Sequence, residues 1–491
     1  MVTGKKLLRV LLKGGVASPD FLLQLLECAE SFGNQTIFFG SRQDVLFYQN
    51  KNEVTDGTIQ TYEKILYDRD SSEQNIVSSF VCVDVYPSTS WVHAGTYLRV
   101  LDSFQYAHQL RVNIVDPKQT LVPLFYGHIN FVASTIDNYW YLYINNNENG
   151  HPEAWNRLVF TDDLAVIAEK VEKIILHSPG ISAAEYFDLL MKSLQVNTIR
   201  VQEQLVLPES FFPNYEGFYL MENKTEYWAG FYWRNNQYDI PFLKEVCNLC
   251  RQFDIGRIAV TPWKTFMVKG IKLAHRVYWE ELLGRFGINL RHSSFELNWH
   301  LPLLDKDALA LKRYIVGRFD KRDVRTFGMS FAIKSGLSEE FTSVVIEAKT
   351  PNFFSVNLKW LVKYDVWFAY DFNPNTHKYI LYEQNLSKNE LPEVLTELSK
   401  KYYSRLTVQN RQLINPKPAS LKTLKQLVYQ CPDCFTIYDE RYGDSFAGIP
   451  TQTPFRLLPE GYCCQLCEQS KNQFVEIEVD AVFNSKLNLN G

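Results

Sequence analysis

Apolar residues recur at helical spacing along Phe21-Leu22-Leu23, Leu25-Leu26 and again along Phe242-Leu243, Val246-Cys247. After Phe32 and Phe253 the period changes. Ile37-Phe38-Phe39 and Ile258-Ala259-Val260 open short apolar runs of the kind that form strands. Phe21 to Phe47 aligns without a gap to Phe242 to Val268, and the pairs Phe21/Phe242, Leu22/Leu243, Phe32/Phe253 and Ile37/Ile258 all lie 221 positions apart. The pattern predicts two copies of a helix followed by a strand, in a body with pseudo-twofold character. Far downstream, Asn415-Pro416-Lys417-Pro418-Ala419-Ser420 has the proline spacing of a semi-rigid connector and marks a boundary before a distinct tail.

The chain's 491 residues exceed what one hydrophobic core supports, so several domains are expected. A formal net charge of −4 carries no basic surplus of the kind nucleic-acid binders concentrate. Arg9 and Lys13 interrupt the apolar N-terminal run before it reaches the length of a signal core. No stretch approaches the roughly 18 apolar residues of a membrane span. A soluble, cytoplasmic protein with no nucleic-acid or membrane partner is the expectation, and the sequence leaves the oligomeric state open.

The tail carries the densest chemistry. Cys431-x-x-Cys434 and Cys464-x-x-Cys467 each have the spacing by which one tight loop presents two thiolates to a metal. Four thiolates make a tetrahedral sulfur site suited to iron or zinc. Between the pairs stand Tyr438-Asp439, Tyr442-Gly443-Asp444, Gly448-Ile449-Pro450, Thr453-Pro454-Phe455 and Leu458-Pro459-Glu460-Gly461-Tyr462. That text resembles the rubredoxin family of one-iron electron carriers. The resemblance implies a single Fe2+/Fe3+ ion per chain on Cys431, Cys434, Cys464 and Cys467, with Tyr438, Phe455 and Tyr462 packed over it. A zinc ribbon, which would be redox-silent, is the rival reading. The family commonly places glycine directly after each pair, where this chain has Phe435 and Glu468. Cys463, beside a ligand, reads as a small hydrophobe. Acidic residues outnumber basic ones in the tail, which either steers a basic redox partner or is a solvated surface.

The duplicated body resembles the ferredoxin-like half domains of the sulfite and nitrite reductases. Arg111 to Pro117, Gly127-His128-Ile129-Asn130-Phe131 and Asn289 to Trp299 extend the likeness. It implies an α+β fold: a first half domain over 1–110, a reductase-like domain over 111–205, a second half domain over 206–305, and a second reductase-like domain over 306–412. A linker at 413–425 and a rubredoxin domain at 426–480 complete the expected order. Those reductases use sirohaem and a four-iron cluster held by two cysteine pairs after the second half domain, whereas this chain has no cysteine between Cys250 and Cys431. Arg42-Gln43 stands where the family's Arg-Gln pair reaches toward porphyrin carboxylates; the alternative is an ordinary solvated arginine. Trp263-Lys264 occupies the same place in the second copy, and Gln74-Asn75-Ile76 looks like the family's Arg-Asn-Ile with its arginine lost. Sirohaem is not expected. Cys247 and Cys250 lie three apart on the second helix and read as buried core thiols. His128, His292 and His300 are not spaced as a metal cluster.

The expectation is an electron-transfer protein rather than an enzyme, working through its tail and docking partners through a catalytically emptied body. The reductase likeness implies a setting in nitrate or nitrite assimilation, with a reductase and an NAD(P)H-linked flavoprotein as redox partners. The alternatives are a sirohaem enzyme fed by its own tail, or a zinc-stabilised scaffold.

Overall fold

The computed structural model describes residues 5–50, 65–69, 71–145, 151–178, 183–193, 196–213, 215–221, 223–290, 295–334, 341–349, 352–353, 356–357, 362–414 and 424–481. The chain forms two compact units, Met1–Ser404 and Arg405–Gly491. The expected connector, 413–425, overlaps the second unit, and its residues 415–423 lie outside the described residues, as does His292. No helix among the described residues is long and apolar enough to cross a membrane.

The first copy of the repeat runs β1 (Lys5–Leu11), β2 (Val16–Ala17), α1 (Pro19–Ser31), β3 (Thr36–Phe39), β4 (Asp44–Asn50) and β5 (Tyr67–Asp68). Ser18 starts α1 by accepting a hydrogen bond from the Phe21 N–H at 3.1 Å, and Pro19 suits the first helical position. A mixed-sheet region follows, with β6 (Ile76–Ser78), α2 (Ala94–Ser103), β7 (Val112–Val115), β8 (Ile129–Ala133), β9 (Tyr139–Ile144), β10 (Glu153–Phe160), α3 (Leu164–His177), α4 (Ala183–Ser193) and β11 (Thr198–Arg200).

The second copy comprises β12 (Gly217–Leu220), β13 (Glu226–Phe231), β14 (Tyr238–Asp239), α5 (Ile240–Gln252), β15 (Ile258–Val260), β16 (Phe266–Lys272) and α6 (Arg276–Arg285). α5 matches α1 end for end at the 221-residue offset, so the helix and strand read from the sequence are both present in each copy. A second sheet region contains β17 (Trp299–His300), α7 (Lys306–Arg322), β18 (Phe331–Lys334), β19 (Val344–Lys349), the short pair β20 (Asn352–Phe353) and β21 (Val356–Asn357), β22 (Lys363–Ala369), β23 (Tyr379–Leu386) and α8 (Leu391–Ile414).

The half-domain sheets have orders β14-β3-β4-β1-β5 and β2-β15-β16-β13-β12. Each therefore takes its edge strand from the other copy. Tyr238 pairs with Ile37, and Ala17 with Ile258. One continuous core lies beneath both sheets and the paired helices α1 and α5. Cys247 and Cys250 are fully buried in it, and burial raises both thiols, Cys247 to about 12. Both side chains pack in the interior, as the sequence reading had it. Phe266 stands near the centre of this core, 4.8 Å from the Phe231 ring, 5.7 Å from Tyr238 and 5.9 Å from Phe39.

The two mixed sheets also repeat. β6, β7 and β8 pair in parallel, as do β17, β18 and β19, and antiparallel strands extend both. This second duplication has no constant sequence offset.

Phe266→Ala removes a ring wholly inside the shared core and is expected to cost about 3–5 kcal/mol. Urea denaturation followed by far-UV circular dichroism checks this, with a midpoint shift under 1 kcal/mol counting against a single shared core.

Candidate metal centre

β24 (Leu424–Gln430), β25 (Ile437–Tyr438) and β26 (Val475–Ala481) form a small antiparallel sheet from which the two cysteine loops project. Beside it Tyr429 stacks on Phe455 at 4.0 Å, and Tyr438 meets Phe455 at 5.6 Å and Tyr462 at 5.8 Å. The polar ends of these rings are satisfied. Tyr438 donates to Thr453 O at 2.8 Å, and Tyr462 to Asp444 Oδ2 at 2.8 Å. Gly443 has φ of +66°, and a β-carbon there would lie 2.3 Å from Pro450 O, so the turn admits no side chain.

Cys431 Sγ lies 3.4 Å from Cys467 Sγ, and Cys434 Sγ lies 3.4 Å from Cys464 Sγ. All four sulfurs fall within 4.8 Å of one another. A tetrahedral site with metal–sulfur bonds of about 2.3 Å has sulfur edges of roughly 3.8 Å, so this donor set fits one thiophilic ion. Cys431 and Cys464 are buried while Cys434 and Cys467 are half-buried, so one edge of the tetrahedron faces outward.

The Thr436 hydroxyl, 3.1 Å from Cys434 Sγ, is the main cause that lowers the Cys434 thiol to about 6, helped by the Thr436 N–H and the neighbouring sulfurs. At Cys467 a hydrogen bond from the Gln469 N–H acts downward, but burial and the adjoining thiols outweigh it and the group is raised. Four thiols this close do not ionise together without a cation, and a cation holds them as thiolates.

Both loops close in the same way. The Phe435 N–H donates to Cys431 O at 3.0 Å, and the Glu468 N–H to Cys464 O at 2.9 Å. Phe435 has φ of 62° and Glu468 of 60°, the left-handed region that glycine occupies without cost. The turn geometry survives the loss of glycine at both positions and carries backbone strain there. Cys463 is half-buried, and its backbone bridges to Ser470.

Arg42 and Gln43 sit at the tip of the β3–β4 hairpin, 8% and 0% exposed, which corrects the alternative of a solvated Arg42. Arg42 Nη1 donates to Asn113 Oδ1 at 2.8 Å and Tyr126 O at 3.5 Å. Its Nη2 donates to Asn75 O at 2.8 Å and Val112 O at 3.0 Å. Gln43 Nε2 donates to Ser78 O at 3.1 Å, and the Ser78 N–H donates to Gln43 Oε1 at 2.8 Å. In the second copy Lys264 Nζ reaches Leu301 O, and Trp263 Nε1 donates to Leu121 O at 2.9 Å. These hairpin tips pin each half domain to a mixed sheet. Those donors of Arg42 and Gln43 are engaged inside the protein. Sequence reasoning passed over Tyr126, whose ring lies 5.8 Å from the Arg42 guanidinium and 5.7 Å from that of Arg111. His128 accepts from the Arg111 N–H at 3.0 Å, and burial, then Arg111 and Arg42, hold its imidazole down at about 3.

A four-sulfur site on two such loops, over a small aromatic core, defines an iron-knuckle module, here attached to a duplicated α+β body. The chain belongs to the rubredoxin family through residues 428–474. It is 45% identical over 51 residues to Rubredoxin-1 of Pseudomonas putida and 43% identical over 49 residues to Probable rubredoxin HupI of Bradyrhizobium diazoefficiens. These matches take in 10% of this chain, and 29% and 71% of the respective relatives. The body's fold is similar to that of the Mycobacterium tuberculosis NirA protein, with a TM-score of 0.58, 12% identity and 80% coverage of both chains. At that identity the likeness concerns fold alone, and it agrees with the reductase-like α+β body expected from the sequence.

Phe435→Gly and Glu468→Gly are each expected to raise the stability of the metal-loaded second unit by up to about 1 kcal/mol, because relief of left-handed strain outweighs the added freedom of the unfolded chain. Guanidinium-induced loss of metal measures it, and a lower midpoint in both variants contradicts the strained-turn geometry.

Proposed function

We propose that this protein is a one-electron carrier that works through a single iron on Cys431, Cys434, Cys464 and Cys467. The observation that carries the reading is the four-sulfur cluster within a segment of the rubredoxin family. Iron bound there supplies an Fe3+/Fe2+ couple. The chain's residues do the rest. The sulfurs delocalise the charge, and the Thr436 hydroxyl directed at Cys434 stabilises added negative charge on that sulfur. Tyr438, Phe455 and Tyr462 keep water from the buried side of the site. Cys434 and Cys467 form the edge nearest solvent and are the exit for an electron.

We further propose that the body is non-catalytic and serves to dock partners, in a setting of nitrate or nitrite assimilation, between a reductase and an NAD(P)H-linked flavoprotein. Two observations support this. No cysteine lies between Cys250 and Cys431 to hold a four-iron cluster, and Arg42 and Gln43 serve as internal fasteners. On this reading the body holds no sirohaem and the protein is cytoplasmic.

The purified chain is expected to be red, to contain one iron, and to bleach with dithionite. Cys434→Ser and Cys467→Ser are expected to lose most of the visible absorbance, while far-UV circular dichroism of the body is retained. A colourless protein holding zinc after expression in iron-replete medium overturns the electron-carrier reading.

A further inference from the structure

The described residues of the body line a partly open cavity of about 350 Å³, at the lower end of the range for small-molecule sites. Phe125, Tyr126, Phe341, Trp367 and Tyr379 contribute to its walls. Tyr126 is fixed on both flanks, by the Phe341 ring at 4.6 Å and by the two guanidinium groups described above. Flat, immobilised rings of this kind select a flat ligand, because offset or edge-to-face contacts need a π-surface on the other side.

Two polar groups at the walls lack the partners that the interior elsewhere provides. Asn145 is only 4% exposed, yet among the described residues its side-chain amide makes no hydrogen bond. Lys334, at the end of β18, likewise has no ion pair among the described residues. The nearby carboxylate, Glu347, accepts from Trp367 Nε1 at 3.1 Å and so lies along the wall beside the indole. The combination is an aromatic slot with one uncommitted cation and one uncommitted amide.

We propose that this cavity binds a planar aromatic anion of one or two fused rings, with its carboxylate or phosphate on Lys334 and a ring nitrogen or carbonyl on Asn145. This site is separate from the metal centre, and its occupancy does not depend on iron.

The test uses the full-length, metal-loaded chain, with quinoline-2-carboxylate as the anionic probe and uncharged quinoline as its comparison. Quinoline-2-carboxylate is expected to quench tryptophan fluorescence saturably, with the quenched component absent in Trp367→Phe. Lys334→Met is expected to weaken the anion about tenfold while leaving quinoline unchanged. Val345→Trp, which fills the cavity from β19, is expected to abolish both. Should that variant fail to fold, Asn145→Leu replaces it and is expected to weaken both probes. Absence of saturable quenching by the anion, or equal anion affinity in wild type and Lys334→Met, overturns the proposal. The visible spectrum of the iron centre is recorded in the same samples, so failure here is distinguishable from failure of the electron-carrier reading.

Discussion

The edge strand of each half-domain sheet comes from the other copy, and the architecture of the body rests on that exchange. β2 and β14 are only two residues long, far too short to persist as isolated strands. They are held because the chain runs from each directly into its own helix, α1 or α5, which is already packed against the opposite copy. Removing one copy would leave the remaining sheet with an open edge and strip α1 or α5 of its partner. The reciprocal arrangement also explains why one core, rather than two, underlies both sheets. The pseudo-twofold relation is thus an energetic requirement as well as a trace of duplication.

A second consequence concerns the hairpin tips. Gly40 and Asp44 close one turn through an N–H to O bond of 2.9 Å, and Thr261 and Thr265 close its counterpart at 2.8 Å. Within these turns Gln43 and Lys264 both adopt positive φ, at 58° and 61°. Equivalent backbones thus present different side chains to equivalent places, and both reach a carbonyl of the neighbouring sheet region, at Ser78 or Leu301. Family likeness directs attention to Arg42 as a ligand for a macrocycle. The geometry shows a guanidinium committed to carbonyls from three strands or loops, where its planar fork suits several fixed acceptors at once.

The legible parts of the sequence were those with a rigid period or an obligatory spacing. The helix-then-strand repeat was readable because Phe21, Phe32 and Ile37 recur as Phe242, Phe253 and Ile258 in one uninterrupted register. The metal site was readable because two thiolates on one tight loop permit little variation. The duplication of the mixed sheets was not. Ile76, Val112 and Ile129 correspond in topology to Trp299, Phe331 and Val344, but loops of unequal length destroy any common offset. The strand exchange was hidden too, because two residues carry no detectable alternation. Asn145 and Lys334 gave no signal either, since only the three-dimensional fold brings them to the wall of one cavity.

Strain and ligation meet at the knuckles. Phe435 and Glu468 stand at equivalent points of two loops, and each holds a left-handed conformation unfavourable for its side chain by about 1–2 kcal/mol. Phe435 is 68% exposed, so its packing offsets little of that cost. What holds the turn is the N–H to carbonyl bond across each CxxC loop together with ligation of the flanking sulfurs. The free energy of metal binding is therefore partly consumed in keeping two non-glycine residues in place. Metal-free loops have correspondingly more reason to relax than loops with glycine. The two half-exposed sulfurs that would hold an ion, Cys434 and Cys467, each sit within one residue of a strained position.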